Sequence, residues 1–369
     1  MRQSLDLPCF RSPRRVDRTR QALRRTRGSA LMSPAGNGGE TETGMPERHG
    51  PTRRVLLRAA LLAGAATDLP ALRLGILQFG TVQWLAVTIR ALGLDRAHGF
   101  ALDTVLLASN DAARVALMAG SADVAVTDWL FVARQRQQST ALSFAPFSAA
   151  SGGVMVPQDS PVHGLADLRG KRLGVAGGAN DRSWLLVQAA ARRAGLDLAR
   201  DAQPNYGAPP LLGAKLAQGE LDALLTFWNF EARLETQGFR EAVSVADCAR
   251  ALGLPADLDL LGFVFHAGWA AANRTAIDGF LAAAAEAQSR LSADPGAWAA
   301  LRPLMQLPPG EAGEATFQAL RRRFVAGIVH PDAAAQRSTA GQVLAILREG
   351  DAAATPTAVP DGVFWPEGA

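Results

Sequence analysis

From Leu72 onward, short runs rich in β-branched and apolar residues alternate with longer runs of helical periodicity, and this alternation constrains the fold more than any other feature. Strand, crossover helix and strand in that order build largely parallel sheets flanked by helices. LRLGILQF reads as a strand and Val82 to Leu92 as a helix, FALDTVLLA as a strand and Asp111 to Ala119 as a helix. ADVAVTD and Trp129 to Gln137 repeat the pattern, and ALSFAPFS closes the group. After Gly152-Gly153 the rhythm restarts. VMVPQDSPVHGLADLRGKRLGVAGG supplies two strands around a Pro/Asp/Gly loop, Ser183 to Ala194 and PLLGAKLAQG read as helices, LDALLTFW as a strand into a loop, and Phe230 to Thr236 as a helix. LLGFVFHAGWAAA suits a strand returning to the first sheet, and the Ala-rich segments beyond it (Ala270 to Leu291, Ala297 to Met305, Ala315 to Phe324, Ala334 to Leu347) read as helical.

The expected fold class is α/β with two lobes, each a mostly parallel sheet flanked by helices, and a helical C-terminal part. The expected layout is a leader over residues 1–66, the first part of lobe one over 67–152, lobe two over 153–261, a return strand with C-terminal helices over 262–350, and a tail over 351–369. Crossing strands at about Ala149 to Val156 and Gly262 to Phe265 would hinge the lobes.

The formal charge of +4 belongs to the leader: residues 1–58 hold 13 arginines against 5 acidic residues, and the remainder holds 25 basic against 29 acidic. Nucleic-acid binding by the body loses its main support. Residues 1–50 lack apolar periodicity and read as disordered or as sequence upstream of an alternative start at Met45. Arg53-Arg54 precede the short apolar run AALLAGAA, which resembles a twin-arginine export signal with a mature start near Thr67. A periplasmic location is expected. Cys9 lies in the leader and Cys248 is the sole cysteine of the body, so no internal disulfide is expected there and Cys248 reads as a buried, inert thiol.

Ligands of open α/β sheets sit outside the carboxyl ends of the strands, so the residues just past each strand are the candidates. In the first lobe these are Gln78, Phe79, Thr81, Gln83 and Trp84, then Asn110 beside Ser109, then Asp128 and Trp129. In the second they are Asp181, Arg182 and Trp184, then Tyr206, then Thr226 and Trp228. Four of the seven tryptophans fall in these turns, and large flat side chains suit a planar or cationic group, although each alone equally suits packing against the sheet. Gly177-Gly178 before a helix start favours an anion, and Arg182 suits a carboxylate or sulfonate. Asp128 and Asp181 point instead to an amine, an amidine-like ring or a metal ion, or to helix capping. The sign of the ligand's charge stays open.

No HExxH pair, GxSxG elbow or Cys-His pairing is present, so no catalytic residue, metal site or cofactor is expected. Of the body's histidines, His98, His163, His266 and His330, only His266 is expected near the cleft.

The chain resembles the nitrate/sulfonate/taurine-type family of ABC transporter solute-binding proteins over about Leu72 to Met305. The resemblance rests on LRLGILQFGTVQWL, ALMAGSADVAVTDWLFVAR, SPVHGLADLRGKRLGVAGG and KLAQGELDALLTFWNFEARLETQGFRE. LADLRGKRLGV is its most specific element, and the Gly-small-Asp pattern recurs as Gly120 to Asp123 and Gly219 to Asp222. The resemblance implies a type II periplasmic binding fold that takes a small ligand, sulfonate-like in the family, and delivers it to an ABC permease. The Trp-rich turns and the lack of an evident cationic cluster depart from sulfonate and nitrate binders and point to a planar or amine-bearing organic ligand, and a monomer is expected. The alternative is an enzyme of the pyrimidine-precursor or menaquinone-pathway type on the same fold, which requires His266, Asp128 or Lys215 at a substrate.

Overall fold

The computed structural model describes residues 69–329 and 333–366. Arg53, Arg54 and the expected export signal, Cys9, Met45 and His330 lie outside the described residues. In chain order the strands are β1 (Ala71–Leu77), β2 (Ala101–Leu107), β3 (Val124–Asp128), β4 (Leu142–Ser148), β5 (Gly153–Pro157), β6 (Arg172–Ala176), β7 (Gln203–Gly207), β8 (Ala223–Leu225), β9 (Phe239–Ser244) and β10 (Leu261–His266). The main helices are α1 (Val82–Ala91), α2 (Asn110–Met118), α3 (Trp129–Gln137), α4 (Arg182–Arg193), α5 (Pro209–Ala217), α6 (Trp228–Glu235), α7 (Val245–Ala251), α8 (Arg274–Ala293), α9 (Gly310–Ala326) and α10 (Ala333–Arg348). Among the described residues no helix is long and apolar enough to cross a membrane.

The strands form two five-stranded sheets, ordered β2-β1-β3-β10-β4 and β7-β6-β8-β5-β9. In each, four strands run one way and one is reversed, β10 in the first sheet and β5 in the second. The two sheets are the cores of a two-lobed α/β fold of the type II periplasmic binding class. The chain leaves the first sheet between β4 and β5 and rejoins it at β10.

The recurring Gly-small-Asp pattern has a structural reason. Asp123 accepts the backbone N–H of Arg73 (2.8 Å) and binds its guanidinium through both oxygens (3.0 and 2.6 Å), fastening the start of β3 to β1. Asp222 does the same for Arg172 (2.8, 3.1 and 2.6 Å), fastening β8 to β6. Both arginines are partly exposed, so each pair adds little net stability. Their bidentate geometry instead pins the register of the two central parallel pairs.

Several elements differ from the sequence expectation. Pro295–Met305 is a 3-10 segment, not an α-helix, because Pro303 has no N–H to give the preceding turn. Asn205-Tyr206-Gly207, expected as a turn, completes β7, and Pro204 is tolerated there because β7 is an edge strand. The other edge strand of that sheet, β9, was not anticipated, since FREAVS lacks clean alternation. Cys248 is buried, and burial pushes its thiol up to about 12, which keeps it protonated and inert.

The C-terminal helices reach the second lobe. Helix α9 lies on α6, with Thr236 and Thr316 hydroxyls 2.9 Å apart and Arg323 paired with Glu231 (3.1 Å) and Glu235. Glu231 is fully buried, and neither carboxylate oxygen has a hydrogen-bond partner among the described residues. Burial, with repulsion from Glu241, pushes its carboxyl up to about 8 against the pull of Arg323. An unfolded Glu releases its proton near 4.5, so the stability gained from the protonated native form is complete below that value and is lost as pH rises through about 8. Glu231→Gln should remove this decline, measured as urea-unfolding free energy across that pH range. An unchanged slope in the variant would assign the decline to another group.

Candidate functional site

Both sheets end at one crevice, which encloses a cavity of about 400 Å³, large enough for a small organic molecule. Its first-lobe wall comes from the β1–α1 turn (Phe79, Thr81), the start of α2 (Asn110, Arg114) and the end of β3 (Thr127, Asp128). Its second-lobe wall comes from the Gly177-Gly178 loop, Asp181 and Arg182, from Tyr206 to Pro210, and from Phe227 to Phe230. Leu261 contributes from β10, whose reversed direction brings its first residue opposite Asp128.

Three helices meet the cavity through side-chain caps, which satisfy N–H groups that have no partner within their own helix. Ser109 caps α2 by accepting from Ala112 (3.1 Å). Asp128 caps α3: Oδ1 accepts from the Phe131 N–H (2.8 Å), and Oδ2 accepts from Nη2 of Arg114 (2.8 Å) and from the Thr127 hydroxyl. Arg114 also donates from Nε to the Thr127 hydroxyl (3.1 Å) and lies over the Phe131 ring, 4.9 Å from its centre. Its charge is committed to the first lobe. Asp181 caps α4 with Oδ1 alone, which accepts from Ser183 (2.9 Å) and Trp184 (3.4 Å). Burial pushes the Asp181 carboxyl up; Arg182 opposes this, and Asp128, on the facing lobe, adds to it.

Of the residues nominated from sequence, Phe79, Thr81, Asn110, Asp128, Asp181, Arg182, Tyr206 and Trp228 line one cavity. Gln78, Gln83, Trp84, Trp129, Trp184 and Thr226 do not. The tryptophan expectation is corrected most: only Trp228 of the four lines the cavity. Trp84 is buried in a cluster of edge-to-face rings with Trp228 and Trp298, each centre 6.1 Å away. Trp129 is 1% exposed and packs on Phe364, and Trp184, equally buried, packs edge-on against Tyr206. Thr226 is buried, and its hydroxyl has no hydrogen-bond partner among the described residues. His266 is corrected too. It ends β10 at the edge remote from Leu261, about 17 Å away at strand rise, and its Nε2 lies 3.2 Å from the Leu117 carbonyl. Lys215 pairs with Glu220 on the far part of α5, so Asp128 is the one residue of the enzyme alternative that lines the cavity.

Sequence reasoning missed Arg114. The available signal was its place one turn past the capped start of α2, beside the apolar face of Ala113, Ala116 and Leu117. Among the described residues no group of three or more His, Cys, Asp or Glu side chains could hold a metal ion.

Arg114→Ala should destabilise the fold by about 3 kcal/mol, because it leaves Asp128 buried without its cation, and Arg114→Lys should recover only part of the loss. Urea-unfolding midpoints check both. A loss well under about 1 kcal/mol would mean that the pair behaves like a solvent-screened surface pair.

The sequence profile described as NMT1/THI5 like matches residues 92–297. No curated protein matches the chain. Among solved structures, the alkanesulfonate-binding protein SsuA from Xanthomonas axonopodis pv. citri, bound to MOPS, is similar at 19% identity and a TM-score of 0.66, covering 81% of this chain and 99% of that one. The periplasmic aliphatic sulphonate binding protein SsuA from Escherichia coli is similar at 22% identity and a TM-score of 0.59, covering 76% and 87%. The desulfurization enzyme DSZB is similar at 16% identity and a TM-score of 0.53, covering 80% and 96%. At these identities the likeness establishes the fold.

Proposed function

The chain belongs to the NMT1/THI5-like family, within the nitrate/sulfonate/taurine-type grouping its motifs resemble, and on that premise we propose that it is the exported solute-binding component of an ABC importer. It captures a small planar or amine-bearing organic molecule between its lobes. The observation that carries this reading is the cavity of about 400 Å³ at the carboxyl ends of both sheets, lined from one side by Phe79, Asn110 and Asp128 and from the other by Asp181, Tyr206 and Trp228. A ligand touching both walls favours the arrangement in which they are closest, and its differential affinity supplies the free energy of closure. The segments between β4 and β5 and between β9 and β10 are the natural hinges; Gly262 to Phe265, expected as the second crossing, lies within β10 and is paired on both sides inside the first sheet.

In this reading residues 67–152 with 262–350 and residues 153–261 are the moving bodies, and Arg53-Arg54 direct export to the periplasm by the twin-arginine route. The protein acts as a monomer that presents its loaded form to a permease. The likeness to the alkanesulfonate-binding protein and to the periplasmic aliphatic sulphonate binding protein supports this role. Asp128, the one lining residue of the enzyme alternative, is already held by Arg114, Thr127 and the α3 cap, which favours binding over catalysis.

Native mass spectrometry of protein isolated from the periplasm of its own host should show a retained small molecule. Adding that molecule to stripped protein should change tryptophan fluorescence. Trp228→Phe should remove most of the change, and Trp269→Phe, at a residue that neither lines the cavity nor shares a cluster with Trp228, should leave most of it in place. A full response in Trp228→Phe would place the ligand elsewhere.

A further inference from the structure

The two capping aspartates each open a helix that meets the cavity, in opposite lobes: Asp128 ends β3 and caps α3, and Asp181 follows β6 by a short glycine-containing loop and caps α4. Their surroundings differ. Both oxygens of Asp128 are committed, to the Phe131 N–H on one side and to Arg114 and Thr127 on the other. Asp181 spends Oδ1 on both of its capping bonds, and Oδ2 receives no hydrogen bond from the described residues. The residue is 5% exposed and lines the cavity. A carboxylate so enclosed costs free energy unless a donor reaches it.

The loop before it keeps that oxygen accessible. Gly177 has a φ of +87°, and a Cβ there would lie 2.6 Å from Oδ2. Glycine therefore serves both the backbone conformation and the bare surface beside the carboxylate. Aromatic surface flanks the same space. Tyr206, 47% exposed and set edge-on to Trp184, lines the cavity from the second lobe, and Phe79, 46% exposed, lines it from the first. Ring faces attract cations. On the first-lobe side Arg114 is neutralised by Asp128, and Asp111, beside it at the start of α2, adds a further negative charge to the lining. Arg182 also lines the cavity but makes no hydrogen bond to Asp181 among the described residues.

Building on the binding role proposed above, we propose that Asp181 selects the ligand: Oδ2 accepts an N–H from a cationic nitrogen group, an ammonium or amidinium, so that the cleft loads an organic cation in preference to an oxyanion. The exchange also moves a proton. In the empty cleft, burial and Asp128 favour the protonated carboxyl and Arg182 opposes them, whereas a bound cation favours the ionised form. At acidic pH, loading therefore releases a proton from Asp181. Affinity rises with pH through the raised pKa of the carboxyl and levels above it.

The test uses the full exported chain and three probes of one ring size: benzamidine, benzoate and benzenesulfonate. Isothermal titration calorimetry should show benzamidine binding at least about tenfold more tightly than either anion, as expected for a charge-assisted hydrogen bond at a buried carboxylate. Asp181→Asn keeps a capping oxygen, and circular dichroism checks that it folds. It should lose about tenfold or more of the benzamidine affinity. It should also abolish the proton release, read as the difference in heat between two buffers of unlike ionisation enthalpy at acidic pH. Tyr206→Ala reports on the cleft itself and should weaken benzamidine. If Tyr206→Ala weakens binding and Asp181→Asn does not, or if either anion binds as well as benzamidine, the Asp181 assignment is overturned and the cleft reading stands. If neither variant changes binding, the cleft reading falls with it. Absence of benzamidine binding overturns the assignment as well.

Discussion

A strand that feeds a helix in a parallel sheet delivers that helix's N-terminus, with its unsatisfied N–H groups, to one edge of the sheet, and the rest of the molecule is arranged around that constraint. Both sheets obey it, and their matching edges face each other across the cavity. The Arg73–Asp123 and Arg172–Asp222 pairs hold the central strands of each sheet in register. A slip by one residue would turn the caps and their neighbours to the wrong face. Ser109, Asp128 and Asp181 are local solutions to the same problem, the donors at a helix start. In this fold such solutions are also the walls of a site. The cleft follows from chain direction before any particular ligand is considered.

Much of this was legible in the sequence because period-two and period-3.6 patterns alternate cleanly between Leu72 and Thr236. Legibility failed where neighbours distant in sequence decide the outcome. Trp129 and Trp228 each open a helix, yet one is covered by Phe364 from the C-terminal segment and the other lines the cavity. Nothing local distinguishes them. Trp84 and Trp184 are each the third residue of a helix, where side chains lie back over the helix start and toward the core, so their place in a turn overstated their access to ligand. Arg114 went unnoticed for the opposite reason: it lies inside a helix, where a list drawn from turns does not look.

The balance of charge at the cavity also depends on the fold. Counted from sequence, Asp111, Arg114, Asp128, Asp181 and Arg182 give a nearly neutral set with no evident preference. Once Arg114 is bound to Asp128 by a short ion pair in a mostly buried setting, neither group competes for a ligand, and the same net charge is presented by Asp111, Asp181 and Arg182 alone. The similarity to sulfonate-binding structures at 19 and 22% identity therefore carries the scaffold further than it carries the chemistry of the lining.

Trp84 comes from the first lobe, Trp228 from the second and Trp298 from the C-terminal segment, and their rings, with Phe324, share one hydrophobic cluster. Trp228 belongs to this cluster and to the cavity wall at once. Repacking at Trp298 thus has a route to the cavity that involves no contact with anything held there. Selection could adjust how tightly a solute is retained by editing that remote seam, and leave the residues that recognise the solute unchanged.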